Sequence, residues 1–333
     1  MKTIEEFKNF FDNVLHIDLN MLEHKRQQTV KLIFKNILIY LGIIIALVFV
    51  GLFVNKIIYG DFFNEQEYNI PLIVAIVFSI STIILLFQKN GKVIQEFIYN
   101  FKKVIIEKIV KFINENLNYS PTEYIPPEQF IKSDIFRDRL YKYYGDDLVS
   151  GVVDKTEIKF SEIHAWKIVE SDEDKRKKQP IFDGIFFIAD FHKNFNGKYF
   201  ILPDFAQKRF GGLGKFFQKM SFSRGKLIEL ENPDFEREFV VYGSDQIEAR
   251  YLLSSSMMER ILKLKQGKFP YLFISLVDSC LYIALPFKKK LFEPSVFRSN
   301  NDYKKTEEFF SLINDTVSIV EELNLNTRIW TKE

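Results

Sequence analysis

The sequence predicts an α+β protein: a two-helix transmembrane hairpin, then a cytoplasmic domain with a mainly antiparallel sheet and a long C-terminal helix. Three observations carry this reading. Two uncharged apolar blocks, 36–55 and 68–88, lie near the N-terminus. Short segments alternating at period two then fill the middle of the chain, and segments of helical period dominate its end. The expected organisation is an N-terminal amphipathic helix over 1–35, the hairpin over 36–88, a basic amphipathic linker helix over 89–118 and an α+β domain over 119–333.

Thr3 and Glu6 have capping-box spacing, which starts a helix with Ile4, Phe7, Phe11, Val14 and Leu15 along one face. Each apolar block reaches the roughly 20 residues that carry a helix across the hydrocarbon core. Fourteen residues of the first block are Leu, Ile, Val or Phe. On an insertion scale these favour the bilayer by about 4–8 kcal/mol at most. A cleavable leader fits poorly, because 35 residues precede the block and no small-residue cleavage site follows it. Lys25, Arg26, Lys31 and Lys35 precede the first span, Lys89, Lys92, Lys102 and Lys103 follow the second, and Asp61, Glu65 and Glu67 outweigh Lys56 between them. The positive-inside rule places both termini in the cytoplasm and a short loop outside. Neither span holds an ionisable residue, which argues against transport by the hairpin itself.

In 89–116, Val93, Ile94, Phe97, Ile98, Phe101, Val104, Ile105, Ile109, Phe112 and Ile113 recur at helical spacing, with six lysines against three glutamates. Such a helix either lies on anionic lipid headgroups or packs on the body as a stalk. Pro121, Pro126 and Pro127 end the pattern, and a short helix is expected over 127–139. Strands are expected over 148–154, 156–169, 181–191, 198–202, 226–230 and 235–242, with a solvated loop over 170–180. Asp245 with Glu248, and Ser256 with Glu259, are expected to open two helices. Strands 270–277 and 280–286 meet at a tight turn, Asp278-Ser279. The final helix, 302–323, turns Phe309, Phe310, Ile313, Val317 and Val320 inward.

The body 119–333 carries 33 basic and 33 acidic residues, which gives no electrostatic footprint for nucleic acid. A single cysteine, Cys280, excludes a disulfide framework and a Cys-based zinc site, and its strand position makes it a small hydrophobe. No Gly-Lys pair sits in a phosphate-binding loop, the glycine cluster 211–214 reads as a turn, and neither GxSxG nor HExxH occurs. His16 and His24, eight apart, cannot chelate together. No cofactor and no metal ligand set is expected.

One stretch departs from simple patterning. In 156–169 the even positions Ile158, Phe160, Trp166 and Ile168 share a face with Glu162 and His164. The favoured reading is a β-bulge near Ser161 that turns Ile163 and Ala165 inward and the polar pair outward. If the pair points inward instead, Glu162 and His164 are candidate acid/base groups, some 7 Å apart along the strand and loosely paired.

The stretches GDDLVSGVV at 145–153, IKFSEIHA at 158–165, GIFFIADFHKNFNGKYFILPD at 184–204 and EFVVYGSDQIEARYLLSSSMMERI at 238–261, together with the two membrane segments, resemble a bacterial two-span membrane family catalogued as domain of unknown function 3137. The resemblance implies this architecture and brings no activity, cofactor or functional residue. The leading functional expectation is a membrane-anchored, non-catalytic binding or scaffold module with an unidentified protein partner. The alternatives are a membrane-tethered enzyme using Glu162 and His164, and a sensory module with a small-molecule pocket. The lysine asymmetry is checked by reporter fusions after Asn64 and after Glu333, which should report opposite compartments; the same compartment for both removes the hairpin topology.

Overall fold

The computed structural model describes residues 1–63, 69–170, 176–191, 193–204, 225–287 and 291–325. The glycine cluster 211–214, and Glu65 and Glu67 of the connecting loop, fall outside the described residues. The chain forms two compact units. One comprises Met1–Asn9, Ile106–Phe292 and Lys304–Glu333, the other Phe10–Ile105 and Glu293–Tyr303.

Helix α1, Ile4–Phe10, opens on the expected capping box: Thr3 N donates to Glu6 Oε2 at 2.7 Å and Glu6 N donates to Thr3 Oγ1 at 3.2 Å. The Thr3 backbone N–H holds the Glu6 carboxyl below the usual carboxylate range. A π-turn, Phe11–Leu15, leads into α2, His16–Tyr59. Phe7, Phe11, Leu15 and Leu19 are buried, whereas Ile4 and Val14 are exposed. A strict four-residue repeat drifts roughly 40° per step on an α-helix, and the wider π-turn takes up the excess. The same device, Lys102–Ile106, joins α3, Ile70–Phe101, to α4, Glu107–Ile113, where Phe97, Phe101, Ile105, Ile109 and Ile113 are buried at four-residue intervals.

The two spans form a closely packed hairpin. A Cβ on Gly51 would fall 2.6 Å from Ala75 Cβ, so this approach of α2 to α3 requires glycine. At one end Asn36 Nδ2 donates to Asn90 Oδ1 at 2.9 Å; at the other Asn55 Nδ2 donates to Asn69 Oδ1 at 2.7 Å and to Phe62 O at 2.9 Å. Between these amide clamps the surface is apolar. Only 6% and 11% of the most apolar windows of the two helices are buried. A core helix of a soluble protein buries such side chains, so these helices have the surface of a membrane anchor.

The other unit is α+β. Its strands are β1, Leu117–Ser120; β2, Lys142–Val153; β3, Thr156–Glu170; β4, Arg176–Asp190; β5, Tyr199–Pro203; β6, Lys226–Leu227; β7, Phe239–Gly243; β8, Phe273–Val277; and β9, Cys280–Pro286. Among the described residues they form one antiparallel nine-stranded sheet in the order β1-β2-β3-β4-β9-β8-β5-β7-β6. Asp278 and Ser279 both have positive φ, 50° and 58°, the geometry that matches a two-residue hairpin to strand twist. On one face, Ile163, Ala165, Phe182, Phe186, Ile188, Phe200 and Phe273 pack with Ile125, Phe130 and Phe136 of the preceding segment, which contains α5, Pro127–Lys132. Ile185, Phe187 and Ala189, on the opposite face of β4, are buried as well, as expected for a central strand.

Several expected boundaries are corrected. The helix expected over 127–139 is the six-residue α5. Residues 235–238 are not strand but the end of α6, Pro233–Glu238, because Asn232 Oδ1 accepts from Asp234 N and Phe235 N, both at 3.0 Å, ahead of a proline at the first turn. Asp245 caps α7, Gln246–Leu252, as expected, but Ser256 lies inside α8, Ser255–Gly267. β4 begins at Arg176, within the expected loop 170–180, since its pairing with β3 overrides the polar sequence. β1 was hidden behind the helical pattern of the linker. The C-terminal helix is α9, Tyr303–Val317, and α10, Ile319–Glu322, with all five expected inward residues buried.

Residues 106–113 contribute Ile106, Ile109, Val110 and Ile113 to this unit, all buried, and Phe7 stacks on Phe310 at 4.2 Å. At roughly 1.5 kcal/mol or more each, those four side chains equal much of the stability of an average domain. A fragment 106–333 should therefore unfold cooperatively at a clearly higher temperature than 119–333. Equal thermal midpoints would show that α4 contributes nothing to the body.

Candidate functional site

The departure from patterning at Glu162 is structural, and the expected bulge is in a different strand. β3 keeps its alternation from Ile158 to Ala165, paired residue for residue with β4. The register shift lies in β2, between Asp146 and Val149, opposite 160–162. Asp147 accommodates it with φ 60°, a conformation aspartate tolerates better than most residues. The reading that turned Ile163 and Ala165 inward is correct for those two residues, which are fully buried. It is wrong for Glu162, which is 4% exposed on the opposite face, because the bulge displaced β2 and left β3 regular.

His164 lies in a three-strand row. Its cross-strand neighbours are Tyr144 on β2 and Asp183 on β4. The Tyr144 ring stacks on the imidazole at 4.8 Å. Nδ1 is 2.9 Å from Asp183 Oδ1 and Nε2 is 3.0 Å from Glu162 Oε1. The two long side chains lean together and bridge the strand repeat, so the pairing is direct rather than loose. Leu291 N completes the set by donating to Glu162 Oε2 at 2.9 Å. Both ring nitrogens of His164 therefore lie within hydrogen-bond distance of a carboxylate oxygen.

A second row adds charge. Asp146 is the direct cross-strand neighbour of Glu162, and Asp146, Asp147 and Glu162 bring carboxylate oxygens within 4.8 Å of one another. Asp147 is buried, and Tyr119 Oη donates to its Oδ1. An all-oxygen set of this kind suits a hard cation such as Ca²⁺ or Mg²⁺. Here the oxygens of Glu162 and Asp147 already accept hydrogen bonds from His164, Leu291 and Tyr119. Gly145 supports the packing: a Cβ there would sit 2.1 Å from Glu162 O and 2.9 Å from Tyr124 Cβ.

Sequence reading singled out Glu162 and His164 and missed Tyr144, Asp146, Asp147 and Asp183. Strand 148–154 was expected to begin six residues too late, which left Tyr144 and Asp146 outside it, and Asp183 is revealed only by the β3–β4 register. His16 Nδ1 lies 3.3 Å from Asn20 Nδ2, four residues on. Cys280, half-buried, packs against the core cluster of the sheet. A separate carboxylate, Glu248 on α7, accepts from Asn196 N at 3.1 Å, Gly197 N at 2.9 Å and Tyr199 Oη at 2.6 Å. Burial, reinforced by Glu248, pushes the Tyr199 hydroxyl well above its usual range.

The Glu162–His164–Asp183 chain links β3, β4 and the segment after β9, and Tyr144 of β2 stacks on it. Replacing Glu162 by alanine removes an acceptor from Leu291 N–H and His164 and should cost about 3–5 kcal/mol. His164→Ala should cost about 1–3 kcal/mol. Denaturation of the detergent-solubilised chain, followed by tryptophan fluorescence, measures both; values within about 0.5 kcal/mol of wild type, as for surface changes, would contradict this geometry.

No curated protein matches the sequence. Among solved structures, the chain is similar to the crystal structure of the mycobacterial trehalose monomycolate transport factor A, TtfA, at 10% identity and a TM-score of 0.32, over 64% of this chain and 95% of that one. A likeness at that score carries no functional argument. Two of the stretches that suggested a family, 184–204 and 238–261, fall within a family match, and 145–165 and the membrane segments lie outside it. Over residues 180–325, from within β4 to the end of α10, the chain matches the family described as protein of unknown function (DUF3137).

Proposed function

We propose that this chain is an integral protein of the bacterial inner membrane whose hairpin anchors a cytoplasmic, non-catalytic binding or scaffold domain, with both termini in the cytoplasm. The anchor reading rests on two uncharged helical segments whose apolar surfaces face outward between amide clamps. The non-catalytic reading rests on one observation: both ring nitrogens of His164 are engaged by carboxylates, and the buried Glu162 has its two oxygens on His164 and Leu291 N. A general base needs a nitrogen or oxygen free to reach a substrate proton. The tethered-enzyme reading survives only if that hydrogen-bonded chain opens during a cycle.

Membrane fractions washed with alkaline carbonate should retain the full chain. In cells lacking the native gene, Glu162→Gln and His164→Gln should restore the wild-type phenotype wherever the variant protein accumulates to normal levels. A variant that accumulates normally yet fails to complement would overturn the non-catalytic reading and favour an acid/base role.

A further inference from the structure

The segment Glu293–Tyr303 belongs to the same compact unit as the hairpin. It is a braced loop. Asn300 Oδ1 accepts from Ser295 N and Asn300 Nδ2 donates to Ser295 O, both at 2.7 Å, while Ser295 Oγ accepts from Arg298 N at 3.0 Å. It is also pinned to the hairpin base. Val296 is buried against Ile33 and Phe97, with Val30 and Ile94 beside them. Arg26, which grips Glu23 through two contacts of 2.6 and 2.8 Å, donates from Nη1 to Val296 O at 3.0 Å. Lys102, 2% exposed, pairs with Glu293 at 3.2 Å. The Arg26 guanidinium holds the Glu23 carboxyl down to about 2, so that grip stays ionised at any ordinary pH.

This closed loop presents Phe297, 64% exposed, with exposed Arg298 next to it. An exposed phenylalanine on a braced loop has no packing role in the unit that carries it. Its depth can be read from the spans. Ile33 lies about 5 Å before the first uncharged block, and Ile94 and Phe97 lie roughly 9 and 14 Å after the second, at 1.5 Å per residue. The headgroup layer occupies about 5–8 Å on each side of the hydrocarbon core, and a phenylalanine side chain reaches several ångströms from its backbone. Around this level Lys31, Lys35, Lys89 and Lys92 are exposed, no carboxylate occurs on α2 between Arg26 and Tyr59, and Glu96 is the sole carboxylate on α3.

We propose that the tip of this loop is a membrane-interface anchor: Phe297 enters the headgroup region of an anionic leaflet beside the spans, and Arg298 with the lysine ring binds the lipid phosphates. An amphipathic aromatic–cation pair is the composition that favours this layer. The inference rests on the membrane reading of the hairpin.

The test uses the full chain reconstituted in phosphatidylcholine/phosphatidylglycerol vesicles containing bromine-labelled acyl chains. Two variants, Phe297→Trp and Phe49→Trp, are compared with wild type so that the signals of Trp166 and Trp330 are subtracted. Phe49 is exposed within the first span and reports insertion alone. Quenching of both added tryptophans, with that at 297 weaker when phosphatidylglycerol is omitted, is the expected result. Quenching at 49 without quenching at 297 overturns the anchor and leaves the hairpin intact, including the case of blue-shifted but unquenched emission at 297, which would mean a protein surface covers it. No quenching at either position overturns the membrane reading, and the anchor with it.

Discussion

The body of this protein depends on a carboxylate held inside its sheet. Moving an ionised carboxyl out of water costs several kcal/mol unless its oxygens are bonded and a cation is near. Glu162 has the Leu291 N–H on one oxygen and the His164 ring on the other. His164 is in turn held by Asp183 and covered by the Tyr144 ring. Each partner comes from a different segment: β2, β4 and the chain after β9. A one-residue slip of β3 would put Glu162 into the apolar face occupied by Ile163 and Ala165, so the same group that costs energy to bury also specifies the register.

The helical unit has the outward apolar surface of a candidate membrane anchor. In hydrocarbon, apolar contact provides little force between helices, so close approach and hydrogen bonds must hold them together. Gly51 against Ala75 supplies the first, and the two asparagine pairs at the ends supply the second. In the middle of the second helix Ser79, Ser81 and Thr82 each satisfy their hydroxyl within the helix, donating to Ala75 O at 2.8 Å, Val77 O at 3.1 Å and Phe78 O at 2.8 Å. Both uncharged segments lie within these amide pairs.

The proposed non-catalytic reading turns on how the acid–histidine–acid chain is connected. A catalytic imidazole is oriented through one nitrogen and works with the other. In this protein both nitrogens are occupied, and the nearby hydroxyl of Ser161 accepts from Ile125 N on the opposite face of the strand.

The sequence alone determined the features that depend on local chemistry. Uncharged runs of membrane length, the Thr3–Glu6 and Asp245 caps, the Asp278-Ser279 turn and the inward face of the last helix follow from neighbours a few residues apart, and all were legible. It also marked Glu162 and His164 as discordant with their strand. Whether that discordance meant a bulge or a buried pair was decided only by the tertiary structure, because the bulge arose in β2, a strand whose start is masked by aromatic and charged residues that pack across to β3. Asp183 and Leu291 reach the pair from 19 and 129 residues away. The six-residue α6 and the strand at Arg176 were misread for the same reason: short segments take the conformation that capping or pairing partners impose, and long-range pairings leave no period in the sequence.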